Sequence, residues 1–386
     1  MSAHALSRPA GFTRTGDPWT VEYVDSIDHF LSLCTRLRRG HAEVFQQRAW
    51  LRSWYACVAR QPGLRPLLLA VRREGEPGDA MLLPLILRSE GRVRVAECAD
   101  LGVTDYNAPL VRDGLALGAE DAAVLAQALR RALRGIDLLR LDKLVEACGG
   151  QPNPWLRLFD SLPSPLSGHR LRVHDDYADW MAHIGKHARK EFERSWRVFQ
   201  REPQARFVRA TDVDEGLSLL RRMAQLQHER HAGKPGYRLA EEAYDGFYEH
   251  YLRANLDKGG CVVTALLAGD EMVAGLFSVH DGRRLTMLRI AIGGERWKSC
   301  APGKLLLERT IHALHAQGCR EFDLGIGDYE HKRAFRPKAV PLHESCVALS
   351  LRGLALRAAW RLKHLLRRQP ALRAAARRLR QRARPA

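Results

Sequence analysis

The densest group of reactive side chains lies near the C-terminal end of the chain, in the segment FDLGIGDYEHKRAF from Phe322 to Phe335. An apolar run with one carboxylate in its middle breaks at two glycines, and a run of polar residues follows up to Arg333, in which Asp328, Tyr329, Glu330, His331 and Lys332 are the candidate catalytic residues. Carboxylates and an imidazole can accept a proton from an attacking amine or hydroxyl, and a phenol can return a proton to a leaving group. A lysine can hold an anionic part of a substrate. This cluster therefore favours group-transfer chemistry at the end of a buried strand.

Each member of the cluster also has a purely structural interpretation. Asp328 after Gly327 suits a turn, Tyr329 can pack against a core, and Lys332 can be solvated. The general base stays open among Asp328, Glu330 and His331, and a histidine has an ordinary pKa of about 6.5, which lies near a neutral working pH. We interpret the cluster as a whole as functional.

Just upstream, the loop GGERWKSC leads into a predicted helix that opens at APGK, with Pro302 in its first turn. The first turn of a helix presents unpaired main-chain N–H groups and the positive end of the helix dipole, which suit a pyrophosphate. Gly303 allows close approach of the backbone, and Lys298 and Lys304 add positive charge. The alternative is an ordinary first-turn proline with a packing glycine.

Two further pairs of residues are candidates for substrate contacts. Asp105 and Tyr106, in GVTDYNAPL, lie between apolar stretches and either line a cleft or form a turn. Arg189 and Lys190 belong to a predicted amphipathic helix in DDYADWMAHIGKHARKEFERSWRVFQRE, whose apolar stripe leaves basic residues on the remaining surface. That basic surface either lines the site of an anionic ligand or is solvated.

The elements that must position these residues occur twice along the chain. A strand, helices, a hairpin, a helix and a strand run from WTVEYV to IDLLRLDKL, and the same order runs from ARFVRA to CREFDLGIG, the last clear strand. Between them, QPNPWLRLFDSLPSPLSGHR carries four prolines and is interpreted as a connection. The repeated order predicts an α/β (α+β) fold with two tandem duplicated units, each a mixed central sheet flanked by helices.

These patterns divide the chain into four predicted segments. Residues 1–18 are expected to lack ordered structure, 19–160 form the first unit, 161–350 form the second unit with the candidate site, and 351–386 form a basic helix and tail. With 386 residues, of which 46% are hydrophobic, the chain can bury the cores of two units.

Composition also limits the classes of protein. The N-terminus lacks the continuous apolar stretch of a secretory signal, and no run approaches the roughly 20 apolar residues of a membrane span, which predicts a cytoplasmic protein. The eight cysteines are scattered singly, without the spacing of a metal site, so no metal is expected.

Much of the formal net charge of +18 is concentrated at the C-terminal end, where residues 351–386 hold 12 Lys or Arg and no acidic residue. Leu354, Ala358, Leu362 and Leu365 or Leu366 make an apolar stripe with arginines on the other side. This pattern predicts an amphipathic helix at an anionic membrane surface, on the inner face of the membrane. The alternatives are contact with nucleic acid through RNA phosphates and a helix packed on the domain, with a disordered basic end beyond Pro370.

In these motifs and their order the chain resembles the GNAT-related acyltransferases of the CelD type. These proteins occur with bacterial cellulose and exopolysaccharide genes and are related to the Fem aminoacyltransferases. The resemblance spans most of residues 20 to 345 and is carried by TDYNAPL from Thr104, HARKEFERSWRVF, LLRRMAQLQHERHAG, and CAPGKLLLERTIHALHAQGCREFDLGIGDYEHKRAF. It implies two GNAT-like folds in tandem, with acetyl-CoA or another acyl-CoA as co-substrate where two parallel strands splay apart. The pyrophosphate would lie on the loop that contains Trp297, Lys298, Cys300, Ala301, Gly303, Lys304 and Leu305.

The resemblance implies that FDLGIG borders the cleft, so that its C-terminal end opens at the thioester. The favoured hypothesis is an acyl-CoA-dependent N- or O-acyltransferase, in the first instance an acetyltransferase. Its acceptor would be a sugar, a sugar nucleotide or a polysaccharide precursor that attacks the thioester directly. Two alternatives stay open: a Fem-like aminoacyltransferase that uses charged tRNA, and a non-catalytic accessory protein of a membrane polysaccharide machine.

Overall fold

The computed structural model describes residues 18–37, 43–148, 150–231 and 238–368. Apart from Pro18, the predicted N-terminal segment 1–18 lies outside the described residues, and so do residues 369–386 of the predicted tail. No described helix is both long enough and apolar enough to span a bilayer.

Within these ranges the chain forms eleven α-helices, most of which coincide with the predicted amphipathic segments. They are α1 (Ile27–Arg36), α2 (Arg48–Cys57), α3 (Ala119–Ala132), α4 (Trp155–Leu158), α5 (Tyr177–Ile184), α6 (Lys186–Phe199), α7 (Val213–His231), α8 (Arg238–Asn255), α9 (Pro302–His315), α10 (Glu330–Arg333) and α11 (Leu351–Arg368). Ser26 accepts a hydrogen bond from the main-chain N–H of His29, so it is the N-cap of α1. Short 3₁₀ helices cover Val44–Gln46, Val58–Arg60 and Glu295–Cys300.

The strands of the described chain belong to one 13-stranded sheet and one two-stranded ribbon. They are β1 (Trp19–Tyr23), β2 (Leu64–Arg73), β3 (Asp79–Glu90), β4 (Val93–Cys98), β5 (Leu110–Val111), β6 (Leu138–Val145), β7 (Ala147–Cys148), β8 (Gln151–Pro152), β9 (Leu162–Arg172), β10 (Ala205–Arg209), β11 (Cys261–Ala268), β12 (Glu271–His280), β13 (Arg284–Ile292), β14 (Glu321–Ile326) and β15 (Lys338–Ala348).

The large sheet shows the predicted duplication in its strand order, β1-β2-β3-β4-β6-β15-β9-β14-β13-β12-β11-β10. Each half has four antiparallel strands followed by one parallel neighbour, which is β6 beside β4 in the first half and β14 beside β13 in the second. Helices cover both faces, and the fold is a mixed α/β fold of the tandem kind that the sequence predicts.

The two halves exchange their last strands. β9, which follows the first half in sequence, pairs with β14, while β15, which follows β14, pairs with both β9 and β6. The interpretation of 151–170 as a connection and of CREFDLGIG as the last strand therefore misses two central strands. Local sequence patterns do not predict β9 and β15, because Pro163 and Pro341 are atypical of strand interiors. β15 accommodates Pro341 beside a register shift in its pairing with β9.

A continuous core joins the two halves on one face of the sheet. Trp50 of α2 packs edge-on against Phe247 and Tyr251 of α8, with ring centroids 4.8 and 5.3 Å apart. The opposite face of the second half is covered by α5, α6 and α9. The part of the sheet around β13 and β14 is therefore packed on both faces.

The predicted basic amphipathic helix is two helices. Gly185, with φ +102°, separates α5 from α6, a conformation that L side chains rarely adopt. The apolar stripe continues across the break, since Ile184, Ala188, Phe192 and Phe199 are all buried. The basic residues thus remain on the outer surface.

Candidate functional site

The two parallel strands of the second half separate soon after they pair. β13 and β14 share register at residues 284–286 and 321–323 only, although both strands are described to their ends at Ile292 and Ile326. On its other side β13 carries a bulge, because Phe277 lies opposite Arg289 while Ser278 lies opposite Met287, so that Leu288 is an extra residue. The result is a gap between β13 and β14 that starts beyond Thr286 and Asp323.

Gly325 sets the width of the near end of this gap. Its φ is +74°, and a Cβ atom at this position would lie 2.7 Å from the carbonyl oxygen of Met287 and 2.8 Å from Oδ2 of Asp105. β14 is also irregular here, because Leu324 and Gly325 both lie between the positions that pair with Arg170 and Gly168 of β9. A glycine is therefore required where β14 bends towards β13 and the loop that holds Asp105.

Asp105 reaches the gap from the first half of the chain. It lies on the loop after β4, is half-buried, and its Oδ2 accepts a hydrogen bond from the main-chain N–H of Ile326 at 3.1 Å. Burial raises the pKa of Asp105 to about 7, against the opposing effect of Lys143. A carboxyl with this pKa can exchange a proton near neutral pH.

Lys332 is hydrogen-bonded to the C-terminal end of β14. Its side chain is buried, and Nζ donates to the carbonyl oxygens of Gly325 at 3.0 Å and Ile326 at 2.8 Å. Burial lowers the pKa of Lys332 to about 8, although Asp105, Asp323 and Asp328 favour its charged form. Lys332 therefore holds the strand end in place and brings a positive charge close to Asp105.

A buried polar network connects this strand to the first half. Asp323 has no exposed surface, and its carboxylate accepts from Tyr106 Oη at 2.8 Å, Arg170 Nε at 2.7 Å and the main-chain N–H of Gly325 at 2.8 Å. Arg170 also donates to Glu43 at 3.1 Å. Burial raises the pKa of Tyr106 well above its usual value, so its phenol stays neutral and donates.

His169 of β9 is a second titratable group in this region. Its side chain is buried, and its Nε2 has no hydrogen-bond partner among the described residues. Burial and the nearby Lys332 lower the pKa of His169, so the imidazole is neutral at neutral pH. Neither His169 nor Asp323 was singled out as a site residue from the sequence; for Asp323 the available signal was a carboxylate inside an apolar strand.

The start of α9 lies across the gap from β14. Ala301 has φ +44°, Pro302 occupies the first turn, and no side chain caps the helix. A Cβ atom on Gly303 would lie 2.9 Å from Cδ1 of Ile292, so the glycine lets α9 begin close to β13. The main-chain N–H groups of this turn are thus placed to receive an anion.

The side chains predicted to bind the pyrophosphate with this loop are either buried in the core or paired with carboxylates. Trp297 is buried and donates to Glu271 at 2.6 Å, and Cys300 and Leu305 are also buried. Lys304 donates to Glu191 of α6 at 2.7 Å, while Lys298 is exposed and paired with Glu295.

The structure separates the predicted cluster after β14. Asp328 is exposed and paired with Arg333 at 2.7 Å, which holds its pKa below the usual range. Tyr329 is 58% exposed and stacks on His331 with ring centroids 5.5 Å apart, and Glu330 is exposed. Burial lowers the pKa of His331, with Lys332 and Lys304 adding to the effect. Of the five, Lys332 is the residue that contacts the gap-forming backbone.

Of the predicted substrate pairs, Asp105 and Tyr106 lie at the gap, whereas Arg189 and Lys190 are exposed on α6. Arg189 lies 3.7 Å from Glu193 one turn later. Among the described residues, no three His, Cys, Asp or Glu side chains are grouped as ligands for a metal ion.

A cavity of about 310 Å³ lies on the face of β13 that carries α7 and α8. Most of its lining residues carry a polar or charged group, although much of the surface that they present to the cavity is carbon; they are Leu220, Arg221, Ala224, Gln225, His228, Glu229, Asp245, Tyr248, Glu249 and Arg289. Arg289 pairs with Asp245 at 2.6 Å and lies 5.1 Å from the ring centre of Tyr248. Burial raises the pKa of Tyr248, while Arg289 lowers it and the nearby Asp105 raises it. The cavity thus lies against β13, and Tyr248 in its lining is close enough to Asp105 for the carboxylate to affect the tyrosine pKa.

Comparison with known proteins agrees with this geometry. Residues 186–333, from the start of α6 to the end of α10, match the family model of an acetyltransferase (GNAT) domain. No curated protein sequence matches the chain.

Solved structures are similar over most of the chain. FemX is 11% identical, with a TM-score of 0.51 over 83% of this chain and 96% of FemX. L-PGS from Bacillus licheniformis is 13% identical, with a TM-score of 0.50 over 84% and 93% of the two chains. A conserved protein of unknown function from Bacteroides thetaiotaomicron VPI-5482 is 12% identical, with a TM-score of 0.50 over 86% and 100%. At these identities the similarity shows a shared fold alone.

Proposed function

We propose that the chain is an acyl-CoA-dependent N- or O-acyltransferase that uses acetyl-CoA or another acyl-CoA as donor. The acceptor we propose is a sugar, a sugar nucleotide or a polysaccharide precursor, as in the CelD-type enzymes that the sequence resembles. One observation carries the proposal: β13 and β14 part after three paired positions, and a carboxyl with a pKa of about 7 lies at the opening. The match of 186–333 to a GNAT acetyltransferase domain supports it.

The residues around the gap fit an acyl-CoA. Main-chain N–H groups at Gly303 and Lys304, in the uncapped first turn of α9, would hold the pyrophosphate, and Lys298 adds charge nearby. The unpaired edges of β13 and β14 would border the pantetheine arm. When bound, the cofactor supplies an acyl group activated as a thioester.

The chain's own side chains then act on the acceptor. Asp105, when ionised, takes the proton from the attacking amine or hydroxyl. Tyr106 and Arg170 hold Asp323, and Asp323 holds the main-chain N–H of Gly325, so the backbone beside Asp105 cannot shift. Lys332 fixes the following carbonyl groups. These contacts position Asp105 before any substrate arrives.

The cavity beside β13 supports a polar acceptor. Its lining combines carbon surface with guanidinium, carboxylate, imidazole and phenol groups around about 310 Å³, which suits the C–H face and the hydroxyl groups of a sugar. An acceptor bound there would lie on the face of β13 that carries α7 and α8, beside Tyr248, whose pKa is affected by the charge of Asp105.

Calorimetric titration with acetyl-CoA and with longer acyl-CoAs tests the donor. We expect saturable binding, and we expect Gly303→Ala to weaken it, because the new Cβ would lie 2.9 Å from Cδ1 of Ile292, so that either the Ile292 side chain or the first turn of α9 must move. Gly294→Ala, in the same loop but with no atom within 4 Å of its Cβ, is the matched control and should bind like the natural chain. Absence of binding for every acyl-CoA at 1 mM, together with binding of charged tRNA, would contradict the proposal.

The acceptor is tested by mass spectrometry of reaction mixtures that contain acetyl-CoA and a panel of amino sugars and sugar nucleotides. An acetylated sugar product that depends on Asp105 is the expected result. If calorimetry shows donor binding and no sugar in the panel is acetylated, the acceptor class is wrong while the donor assignment stands.

A further inference from the structure

Helix α11 is attached to the sheet through one face. Gly353 lies so close to the main chain of Asp137 that any side chain there would overlap the Asp137 carbonyl oxygen. Leu356 and Trp360 pack against the small cluster formed by Val95, Leu138 and Cys346. Ser350 donates to the Asp137 carboxylate at 2.6 Å and accepts from Gly353 N–H at the start of the helix. The helix is therefore anchored, and its opposite face points away from the protein.

The outward face is an apolar stripe in water, which we call the leucine stripe: Leu351, Leu354, Leu362, Leu365 and Leu366. Their exposed fractions reach 85% for Leu351, 58% for Leu362 and 59% for Leu365. At 3.6 residues per turn these positions, with Ala355 and Ala358, follow one line along the helix. The described chain has eight exposed large hydrophobic side chains, and five of them belong to this stripe, so exposure here is a concentrated feature of one surface.

Cationic side chains flank the leucine stripe on both sides. By helical periodicity Arg352 and Lys363 lie along one edge and Arg361 along the other, all exposed; Arg361 also lies 3.5 Å from the exposed Asp160 carboxylate, so the edge with Arg352 and Lys363 is the more strongly positive one. No acidic residue occurs between 351 and 386. The surface therefore combines an apolar ridge with positive borders.

We propose that the leucine stripe with its cationic borders is a docking surface for an anionic lipid bilayer. The leucines would enter the boundary between head groups and acyl chains, and the cations would meet lipid phosphates. A nucleic acid would pair with the cations and leave the leucines in water. A second copy of α11 would bring cations against cations, with no acidic residue on the helix to compensate. Charge complementarity and the apolar ridge are both satisfied by a bilayer that carries negative charge.

Vesicle cosedimentation of the full chain tests this surface. The probes are vesicles of phosphatidylcholine alone and vesicles of phosphatidylcholine mixed with phosphatidylglycerol. We expect binding to the mixed vesicles and at least tenfold weaker binding for Leu354→Ser/Leu362→Ser/Leu365→Ser. Since each basic residue near the surface contributes ~1 kcal/mol, Arg352→Gln/Lys363→Gln should weaken binding roughly 25-fold.

Matched controls are available on the same chain. Leu166 is an exposed leucine outside α11. Leu166→Ser is therefore the control for the single variant Leu362→Ser, which is measured beside the triple leucine variant. Arg194→Gln/Arg197→Gln, exposed on α6, controls for the loss of two charges. Both controls should bind like the natural chain, and circular dichroism should show that every variant is folded, because all altered side chains are exposed.

Three results would overturn the proposal. The full chain could fail to bind phosphatidylglycerol vesicles. The triple leucine variant could bind them as tightly as the natural chain, which would assign binding to basic charge alone. A change of oligomeric state in the triple variant without any change in vesicle binding would make the stripe an interface between copies.

Discussion

Asp105 and Lys332 have pKa values that burial has moved towards each other, to about 7 and about 8. An ordinary aspartate has a pKa near 3.9 and an ordinary lysine near 10.4. The two groups come from different halves of the chain and meet at the backbone of Gly325 and Ile326: Asp105 accepts from the Ile326 N–H, and Lys332 donates to the carbonyl groups of both residues. Proton exchange near neutral pH is therefore a property of the folded site.

The Asp105→Asn variant tests the general base. Since the ionised form of Asp105 accepts the proton, the acyl-transfer rate of the natural chain should rise as pH increases through about 7 and level off above it. The variant should lose at least ~100-fold in rate and lose this rise, while acyl-CoA binding is retained. Asn can still accept the hydrogen bond from Ile326 N–H, so the loop should be unchanged.

His169→Gln is the control for this assignment. Because burial lowers the pKa of His169 below its usual value of 6.5, a base at His169 would place the rise in rate below pH 6.5. If His169→Gln abolishes the rise and Asp105→Asn leaves it intact, His169 is the base and the role of Asp105 is structural.

The Gly325→Ala variant tests the bend in β14. Its Cβ would meet the Met287 carbonyl and the Asp105 carboxylate in a left-handed backbone conformation, so we expect a loss of about 1–3 kcal/mol in the free energy of unfolding, measured by urea denaturation. Gly282→Ala shares the positive φ, at +90°, but meets no atom within 4 Å. The two variants should differ, and equal losses would mean that backbone conformation alone requires Gly325.

At the scale of elements, local patterns predicted most helices and the hairpins, because amphipathic period and turn residues act over a few residues. Local patterns did not predict β9 and β15. Both contain proline, and both are strands because each finds partners far away in sequence: β9 pairs with β14 and β15, and β15 pairs with β6. Pairing across such distances overrides local propensity.

The attachment of α11 belongs to this scale and is tested by Gly353→Val. Because a side chain at Gly353 would overlap the Asp137 carbonyl, α11 should detach from β15 and expose its arginine bonds to trypsin. Ala355→Val alters an exposed position of the same helix and should leave proteolysis unchanged. Equal cleavage rates for Gly353→Val and the natural chain would show that Gly353 does not anchor the helix.

At the scale of the whole molecule, the exchanged strands make the two halves depend on each other. β15 covers the edge of β6, Asp323 of β14 pairs with Tyr106 of the first half, and Trp50 packs on Phe247. We expect one cooperative unfolding transition for the chain, with fluorescence and circular dichroism changing together. Two separate transitions would contradict this expectation.

Residues 1–160 expressed alone provide the complementary measurement. This fragment lacks β15, so β6 would present an unpaired edge lined by Leu139 and Leu141. We expect an aggregated or unfolded product, judged by gel filtration and circular dichroism. A monomeric, folded fragment would show that the first half is independent of the strand exchange.

The sequence by itself determined the repeated order of elements, the helix start at Pro302 and Gly303, and the polar cluster that ends at Lys332. Each of these features depends on residues that are close together along the chain. The tertiary structure alone decided which of those residues meet. Asp105 lies more than 200 positions from Ile326, and Arg170 about 150 from Asp323, yet they are hydrogen-bonded partners. Burial then set the pKa values of Asp105 and Lys332, and burial depends on how distant segments pack.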